Sequence, residues 1–278
     1  MKSLTILASL ALASASVGAL AQQAQSQSMQ TGSTYADLVE LAERAPLVIR
    51  AEVRDQARVK AERAPGLAPG HARLYVEAQT RSLLAGTVPV GESLRYLVDL
   101  PLTAKGKVPK LKKQEVLLFA RPVAGRPGEI QLVDMGAQMR YDPALEARLR
   151  PILAELVASN TPPIITGVSE ALAVEGTLVG ESETQLFLDT ESDGPVSVTI
   201  VRRPGQAPRW GVSWTEIVDQ SASAPQRNTL AWYRLACSLP QTLPADAVLS
   251  QDDAARELAQ RDYAFVIEEL GPCERSPA

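Results

Sequence analysis

Two segments in which apolar and polar residues alternate, near residues 73–80 and 93–100, give the clearest structural signal in the chain. In RLYVEAQT and in SLRYLVDL, side chains of like character recur at every second position, which is typical of strands that bury one face. The connector between them contains Gly86, Pro89 and Gly91, which favour turns. The pattern predicts a central hairpin, and because two strands alone are not stable in water, more strands must pack beside it.

The same reasoning predicts a short helix and five strands over the first half of the chain. Thr34 and Asp37 are spaced as a capping box at the start of a helix from Tyr35 to Arg44, and Pro46 ends that helix. The predicted strands lie near residues 47–54, 73–80, 93–100, 115–121 and 129–134.

This order of elements resembles the five-stranded OB-fold barrels of netrin-like and tissue-inhibitor-of-metalloproteinase-like modules in secreted proteins. The resemblance rests on APLVIRAEV, VEAQTRSLLAG, GESLRYLV and EVLLF after the short helix, and it spans about Leu38 to Asp134. It implies an OB-like barrel over residues 34–140. The animal inhibitors carry cysteines, including an amino-terminal one that reaches zinc, whereas this stretch contains none. Inhibition of an exported protease therefore rests on fold analogy alone.

Beyond the fifth strand the pattern is that of a linking helix. Asp142 and Pro143 suit the N-cap and first position of a helix, and Pro151 is expected to kink that helix or restart it. The adjacent prolines of SNTPPIITG then mark a boundary, so residues 141–163 are predicted to be a linking helix and a Pro-rich linker.

Residues 164–278 are predicted to form an α+β domain that opens with an antiparallel meander of four strands. The last of these strands places four side chains on one face, and its two tryptophans are interpreted as core rather than as a ligand platform. The four are Trp210, Val212, Trp214 and Val218. The predicted strands are the segments ALAVEGTLV, TQLFLD, PVSVTIVR and RWGVSWTEIVD.

Helices are expected after the meander. Asn228 can cap the segment TLAWYRLAC, and Ser250 with Asp253 can begin a second helix. The final apolar segment, DYAFVIEEL, fits either a helix or a strand.

The amino terminus predicts export. Residues 1–21 combine a basic start at Lys2, a short apolar core and the cleavage sequence Ala19-Leu20-Ala21, which are the parts of a secretory signal peptide. A membrane anchor is the alternative, but the apolar core is short and rich in Ala and Ser. The polar stretch 22–33 is expected to be a disordered lead. The predicted location is periplasmic or secreted, with no transmembrane segment after cleavage.

The predicted export places Cys237 and Cys273, the only two cysteines, in an oxidising compartment. In an oxidising compartment an isolated pair favours a disulfide over a redox or metal site. The sequence thus predicts a mostly-β α+β protein, in which an OB-like barrel is followed by a meander whose helices are closed by a disulfide.

Charge narrows the choice of partners. The net charge of −4, or −5 after the predicted cleavage, argues against a general nucleic-acid binder. One connector, TAKGKVPKLKK, concentrates positive charge and is either a basic finger for an anionic partner or a solvated loop. Its five lysines are Lys105, Lys107, Lys110, Lys112 and Lys113.

Candidate catalytic groups are few. His71 is the only histidine and lies in a Pro/Gly-rich loop, so catalysis by histidine pairs is excluded by count. Neither a nucleophile elbow nor a P-loop appears, and no metal or cofactor is predicted. Asp189 in FLDT resembles the Asp-Thr loop of aspartic proteases, but Glu191 stands where that family needs a small residue.

These observations favour an exported, non-enzymatic binding or structural module of the cell envelope, whose partner is an unknown envelope protein or polymer. The alternatives are a carboxylate-dependent hydrolase that uses Asp189 and an inhibitor of an exported protease.

Overall fold

The computed structural model describes residues 33–86, 88–215 and 222–276. Within these ranges the chain is a mostly-β α+β protein with two antiparallel sheets. Outside the described residues lie the predicted signal peptide, all of the predicted disordered lead except Ser33, and Val218.

The helices and strands, in chain order, are α1 (Tyr35–Arg44), β1 (Leu47–Arg58), β2 (His71–Gly86), β3 (Ser93–Pro101), β4 (Glu115–Pro122), β5 (Ile130–Leu132), β6 (Gln138–Arg140), α2 (Pro143–Leu156), β7 (Ile165–Glu175), β8 (Ser182–Thr190), β9 (Val196–Arg202), β10 (Arg209–Ser213), α3 (Leu230–Ala236) and α4 (Asp253–Leu270).

The first sheet has β1 at its centre and the strand order β3-β2-β1-β4-β5, while the short strand β6 pairs with β4. The five predicted strands are confirmed, whereas β6 was not predicted. One edge of the sheet approaches the other: the backbone N–H of Arg95 in β3 donates to the carbonyl of Gly128 at 2.8 Å, and Asp99 donates to Met135 at 2.9 Å. A parallel bridge joins Arg95 to Glu129.

The two helices of the first half start as predicted. Thr34 Oγ1 accepts from the N–H of Asp37 at 3.2 Å, and Asp37 Oδ2 accepts from the N–H of Thr34 at 2.8 Å, which confirms the capping box of α1. Asp142 caps α2 by accepting from Ala144 N–H. The helix does not restart at Pro151: α2 runs as one helix from Pro143 to Leu156. Apolar side chains are buried on both sides of the proline, and this packing outweighs the one backbone hydrogen bond that the proline removes.

The second sheet is the predicted four-stranded antiparallel meander, with the order β10-β9-β8-β7. Its first strand begins at Ile165, six residues earlier than predicted, so the Pro-rich linker leads directly into the sheet. Trp210 is buried and Trp214 packs partly buried against the core, which confirms their interpretation as core residues.

The last helices correct two predicted caps. Thr229 rather than Asn228 caps α3, because Thr229 Oγ1 accepts from Trp232 N–H while Asn228 occupies the left-handed region at φ 60°. Asp252 rather than Ser250 caps α4. The final apolar segment is helical. No described helix is long and apolar enough to cross a membrane.

The predicted disulfide between Cys237 and Cys273 is confirmed, with the two Cα atoms 5.1 Å apart. It joins the end of α3 to the segment after α4. That segment continues to α1 in the first half of the chain, where Arg275 pairs with Glu40.

The two halves share one hydrophobic core. At their contact the rings of Tyr35 and Trp232 meet edge to face, with centroids 6.2 Å apart. Glu155 at the end of α2 accepts from the N–H of Leu230 at the start of α3, at 2.8 Å. The second sheet is therefore held in a fixed relation to the first by polar and apolar contacts together.

Candidate functional site: a groove on the second sheet

Two β-bulges in β7 shape an open recess on the second sheet. Ile165 pairs with Thr190 and Gly167 with Asp189, so Thr166 is an extra residue without a partner position on β8. Ser169 is extra in the same way, between Val168 and Glu170. Bulges re-aim side chains and are frequent beside functional sites. Both extra residues line an open groove of about 590 Å³.

The opposite wall of the groove is the end of β8 and the turn that follows. Phe187 and Asp189 lie there, and Asp193 in the turn adopts the left-handed conformation at φ 54°. Thr190 Oγ1 donates to the Gly194 carbonyl at 2.9 Å and so closes this turn. Asp189 and Asp193 are exposed, and within the described part of the chain neither forms an ion pair. The groove is therefore lined by two solvent-accessible carboxylates.

The floor contains a hydroxyl group that has no partner. Ser197 in β9 lines the groove and is only 5% exposed, and its Oγ has no hydrogen-bond partner among the described residues. A buried hydroxyl without a partner costs about 1–3 kcal/mol, so native proteins rarely leave one unsatisfied without a reason. By contrast, the hydroxyl of Ser169 is already used, since it donates to the Phe187 carbonyl at 3.1 Å.

Register places these groups on the sheet face that points away from the core. Phe187 pairs with Ser197 and Ser197 with Ser213, and directly opposed residues share a face. Part of this face is covered by the chain after β10: a Cβ atom on Gly211 would lie 2.1 Å from the Ala222 carbonyl oxygen. The backbone therefore passes directly over Gly211, and Ser197 and Ser213 are buried although they face away from the core.

The local charge is strongly negative. Residues 164–201 contain seven carboxylates and no lysine or arginine, whereas the chain as a whole has 28 basic residues against 32 acidic ones. None of the described residues that line the groove is a lysine or an arginine, so the charged side chains of its lining are carboxylates. Such a site favours a ligand that is positively charged and rich in hydrogen-bond donors.

Among the residues singled out in the sequence, only Asp189 lies in the groove. The five lysines lie on the connector between β3 and β4 of the first sheet, and all five are exposed. His71 begins β2, where its Nδ1 lies 3.0 Å from the Pro69 carbonyl oxygen. Within the described ranges, no group of three or more His, Cys, Asp or Glu side chains could hold a metal ion.

Most groove residues were not predicted. Thr166 and Ser169 gave no signal because a bulge depends on pairing with another strand, and the alternation in PVSVTIVR shows only that Ser197 faces away from the core. The absence of basic residues from 164 to 201 is a sequence signal that could have pointed to this region.

No protein-family model matches the chain, and no match was found among curated proteins.

Proposed function

We propose that this protein is an exported binding module whose second sheet holds a groove for a small ligand with a primary ammonium group. The observation that carries the proposal is the buried, partnerless Oγ of Ser197 in the same groove as the exposed carboxylate of Asp189. A hydroxyl can accept from an ammonium N–H while a carboxylate balances its charge.

The groove also offers a face for the rest of such a ligand. The Phe187 ring is partly exposed in the groove, and aromatic rings attract cations and cover the apolar surface of sugars and alkyl chains. The volume of about 590 Å³ suits a ligand of sugar or amino-acid size. Mixed carboxylate, hydroxyl and aromatic groups of this kind recognise a ligand without requiring a catalytic pair.

The proposal also includes the fold of the first sheet and the export of the protein. The first sheet is assigned to an OB-like barrel, which is supported by its strand order and by the parallel bridge between Arg95 and Glu129. Export is supported by the signal-peptide features of residues 1–21 and by the disulfide. Sequencing the amino terminus of the mature protein tests export, and we expect it to begin at Gln22.

Titration of the mature protein by NMR tests the ligand class with matched pairs of probes. Glucosamine and cadaverine carry ammonium groups, whereas glucose and 1,5-pentanediol are neutral compounds of similar size. We expect only the amines to shift the resonances of groove residues, and Asp189→Asn or Ser197→Ala to weaken their binding at least tenfold. Asp246→Asn, an exposed aspartate outside the groove, is the matched control and should bind normally.

Each other outcome is informative. Equal binding of glucose and glucosamine would show that the hydroxyl groups are recognised and would overturn the assignment of an amine. Absence of any shift in the groove with all four probes would overturn the proposed binding function itself.

A carboxylate-dependent hydrolase is the second candidate, because Asp189 and Asp193 line the same groove. Paired protease aspartates share one proton in a closed site, whereas both of these side chains are exposed, and this favours binding over catalysis. Hydrolysis of casein or of a peptidoglycan fragment that is lost in Asp189→Asn would support the hydrolase, and unchanged hydrolysis would remove it.

A further inference from the structure

The hairpin between β7 and β8 carries an apolar tip that the core does not use. Leu178 and Val179 in its turn are 61% and 99% exposed, and Val174 on the strand before it is 67% exposed. Folded proteins seldom expose several aliphatic side chains together unless they meet a partner. This set, with the partly exposed Leu172, is called the aliphatic tip below.

The aliphatic tip is held in a defined shape. The N–H of Gly176 donates to the Glu181 carbonyl at 2.8 Å, and the N–H of Glu181 donates to the Leu178 carbonyl at 2.9 Å. The Glu181 carboxylate packs on Gly176, where a Cβ atom would come within 2.5 Å of Oε2. A turn with these bonds presents its side chains without a large loss of conformational entropy on binding.

Two exposed carboxylates flank the aliphatic tip, those of Glu175 and Glu183 on either side of the turn. At the same end of the sheet Arg202, opposite Ser182, is paired with Asp262, and the exposed Arg203 follows it. An acidic rim repels the anionic surface of a phospholipid membrane and attracts a cationic protein surface. The occupant should therefore combine exposed apolar side chains with lysine or arginine.

The same chain presents such a surface on its first sheet. The exposed lysines 105, 107, 110, 112 and 113 follow β3 directly, and β3 also carries Leu97, which pairs across the strands with Tyr75. Tyr75 and Leu97 are 37% and 41% exposed. Within the described ranges none of the five lysines forms an ion pair. The pKa of Glu52 is lowered by the hydrogen bond from Arg81, then by the charges of Arg54 and Arg81, and after these by the charge of Lys113.

From this complementarity we infer that the aliphatic tip of one molecule docks on the lysine connector and the Tyr75–Leu97 pair of a second copy. The two surfaces lie on different sheets of the same chain, so the contact is between unlike surfaces. A two-fold dimer would make this contact twice, and a head-to-tail chain would make it once at each interface. This self-association is independent of the ligand groove and of the proposed function.

Sedimentation velocity of the mature protein from 1 to 200 μM, at 50 and 300 mM salt, tests the inference. We expect association that rises with concentration and is weakened by salt, because the rim contacts are exposed charges. Val179→Asp should weaken it at least tenfold. Val157→Asp, at a valine that is 81% exposed after α2, is the matched control and should leave it unchanged.

A charge exchange identifies the pairing. Replacing Lys105, Lys107 and Lys110 by Glu should abolish association, as should replacing Glu175 and Glu183 by Lys. Mixing these two variants should restore association to within a few-fold of the wild type. A protein that stays monomeric throughout, association that Val179→Asp leaves intact, or mixed variants that do not associate would overturn the inference. Binding of the aliphatic tip to phosphatidylglycerol vesicles by a monomeric protein would also overturn it.

Discussion

Arg234 in α3 and Glu43 in α1 form an ion pair that joins the two halves of the molecule, and Arg234 is only 4% exposed. The guanidinium is held on its other side by the Pro162 carbonyl, to which Nε donates at 3.1 Å. Removing the carboxylate would leave the Arg234 guanidinium buried without a compensating charge, and such an uncompensated buried charge is strongly destabilising.

Glu43→Gln should therefore destabilise the protein by about 3 kcal/mol. Urea unfolding, followed by tryptophan fluorescence and by far-UV circular dichroism, measures this change and should give coincident transitions, since the halves share one core. Glu40→Gln on the same helix is the control, because Glu40 pairs with exposed arginines and should cost less than about 1 kcal/mol. Equal effects of the two substitutions would contradict the role given to Arg234.

Asp262 in α4 is fully buried and should be among the most sensitive positions in the second half. It accepts from Thr184 Oγ1 at 2.6 Å and from Arg202 Nε at 2.5 Å. Asp262→Ala removes both acceptors and should cost about 3 kcal/mol in the free energy of unfolding. Asp253→Ala, at an exposed aspartate in the first turn of the same helix, should cost less than about 1 kcal/mol. A small effect at Asp262 would mean that water replaces its carboxylate.

The disulfide closes a loop between Cys237 and Cys273, which are 36 residues apart in the sequence. In the chain-entropy treatment such a loop contributes about 4 kcal/mol. The double variant Cys237→Ala, Cys273→Ala should lose a similar amount in urea unfolding. The wild-type protein should take up no alkylating reagent when denatured without a reductant and two equivalents when reduced. Uptake of two equivalents without reduction would contradict the bridge in solution.

Stability should depend on pH through Glu146 in α2. Hydrogen bonds from Arg150, then from Tyr141, and the charge of Arg50 lower the pKa of Glu146 below its ordinary value of 4.5. A lowered pKa stabilises the fold fully above pH 4.5, and this contribution is lost as the pH falls through the folded-state value. Glu146→Gln should therefore be less stable than wild type at pH 7, by less than about 1 kcal/mol, and this difference should shrink towards pH 3. A difference that grows on acidification would contradict this assignment. The exposed Glu257→Gln serves as the control.

Local signals account for what the sequence predicted well. The capping box of Thr34 and Asp37 acts within four residues, so α1 could be placed with its observed bounds. The disulfide needed no geometry, because only one pairing of two cysteines exists. The predicted caps of α3 and α4 were wrong because several polar residues that can cap a helix are adjacent in the sequence at each start. Only the path of the backbone decides whether Thr229 or Asn228 accepts the hydrogen bond that caps α3.

The groove depends on relations between distant segments, which a single sequence does not encode in a local pattern. Asp189 could be noticed through its motif, yet its neighbours Thr166 and Ser169 belong to the site only because β7 has two more residues than β8 across the same span. Ser197 is buried on a face that normally meets solvent, and on the same sheet the segment at Ala222 crosses Gly211, a close approach between residues 11 apart that no local pattern indicates.

The bulges of β7 add side chains to the groove without changing the pairing of the other strands of the sheet. The paired residues Ile165 and Val168 keep their buried positions, while the inserted residues carry hydroxyls that the core never contacts. Deleting one inserted residue would restore regular pairing locally and remove one groove hydroxyl, and the β8–β9 and β9–β10 ladders would need no change of register. Single-residue insertions and deletions in β7 should therefore reshape the lining of the groove while the rest of the sheet keeps its register.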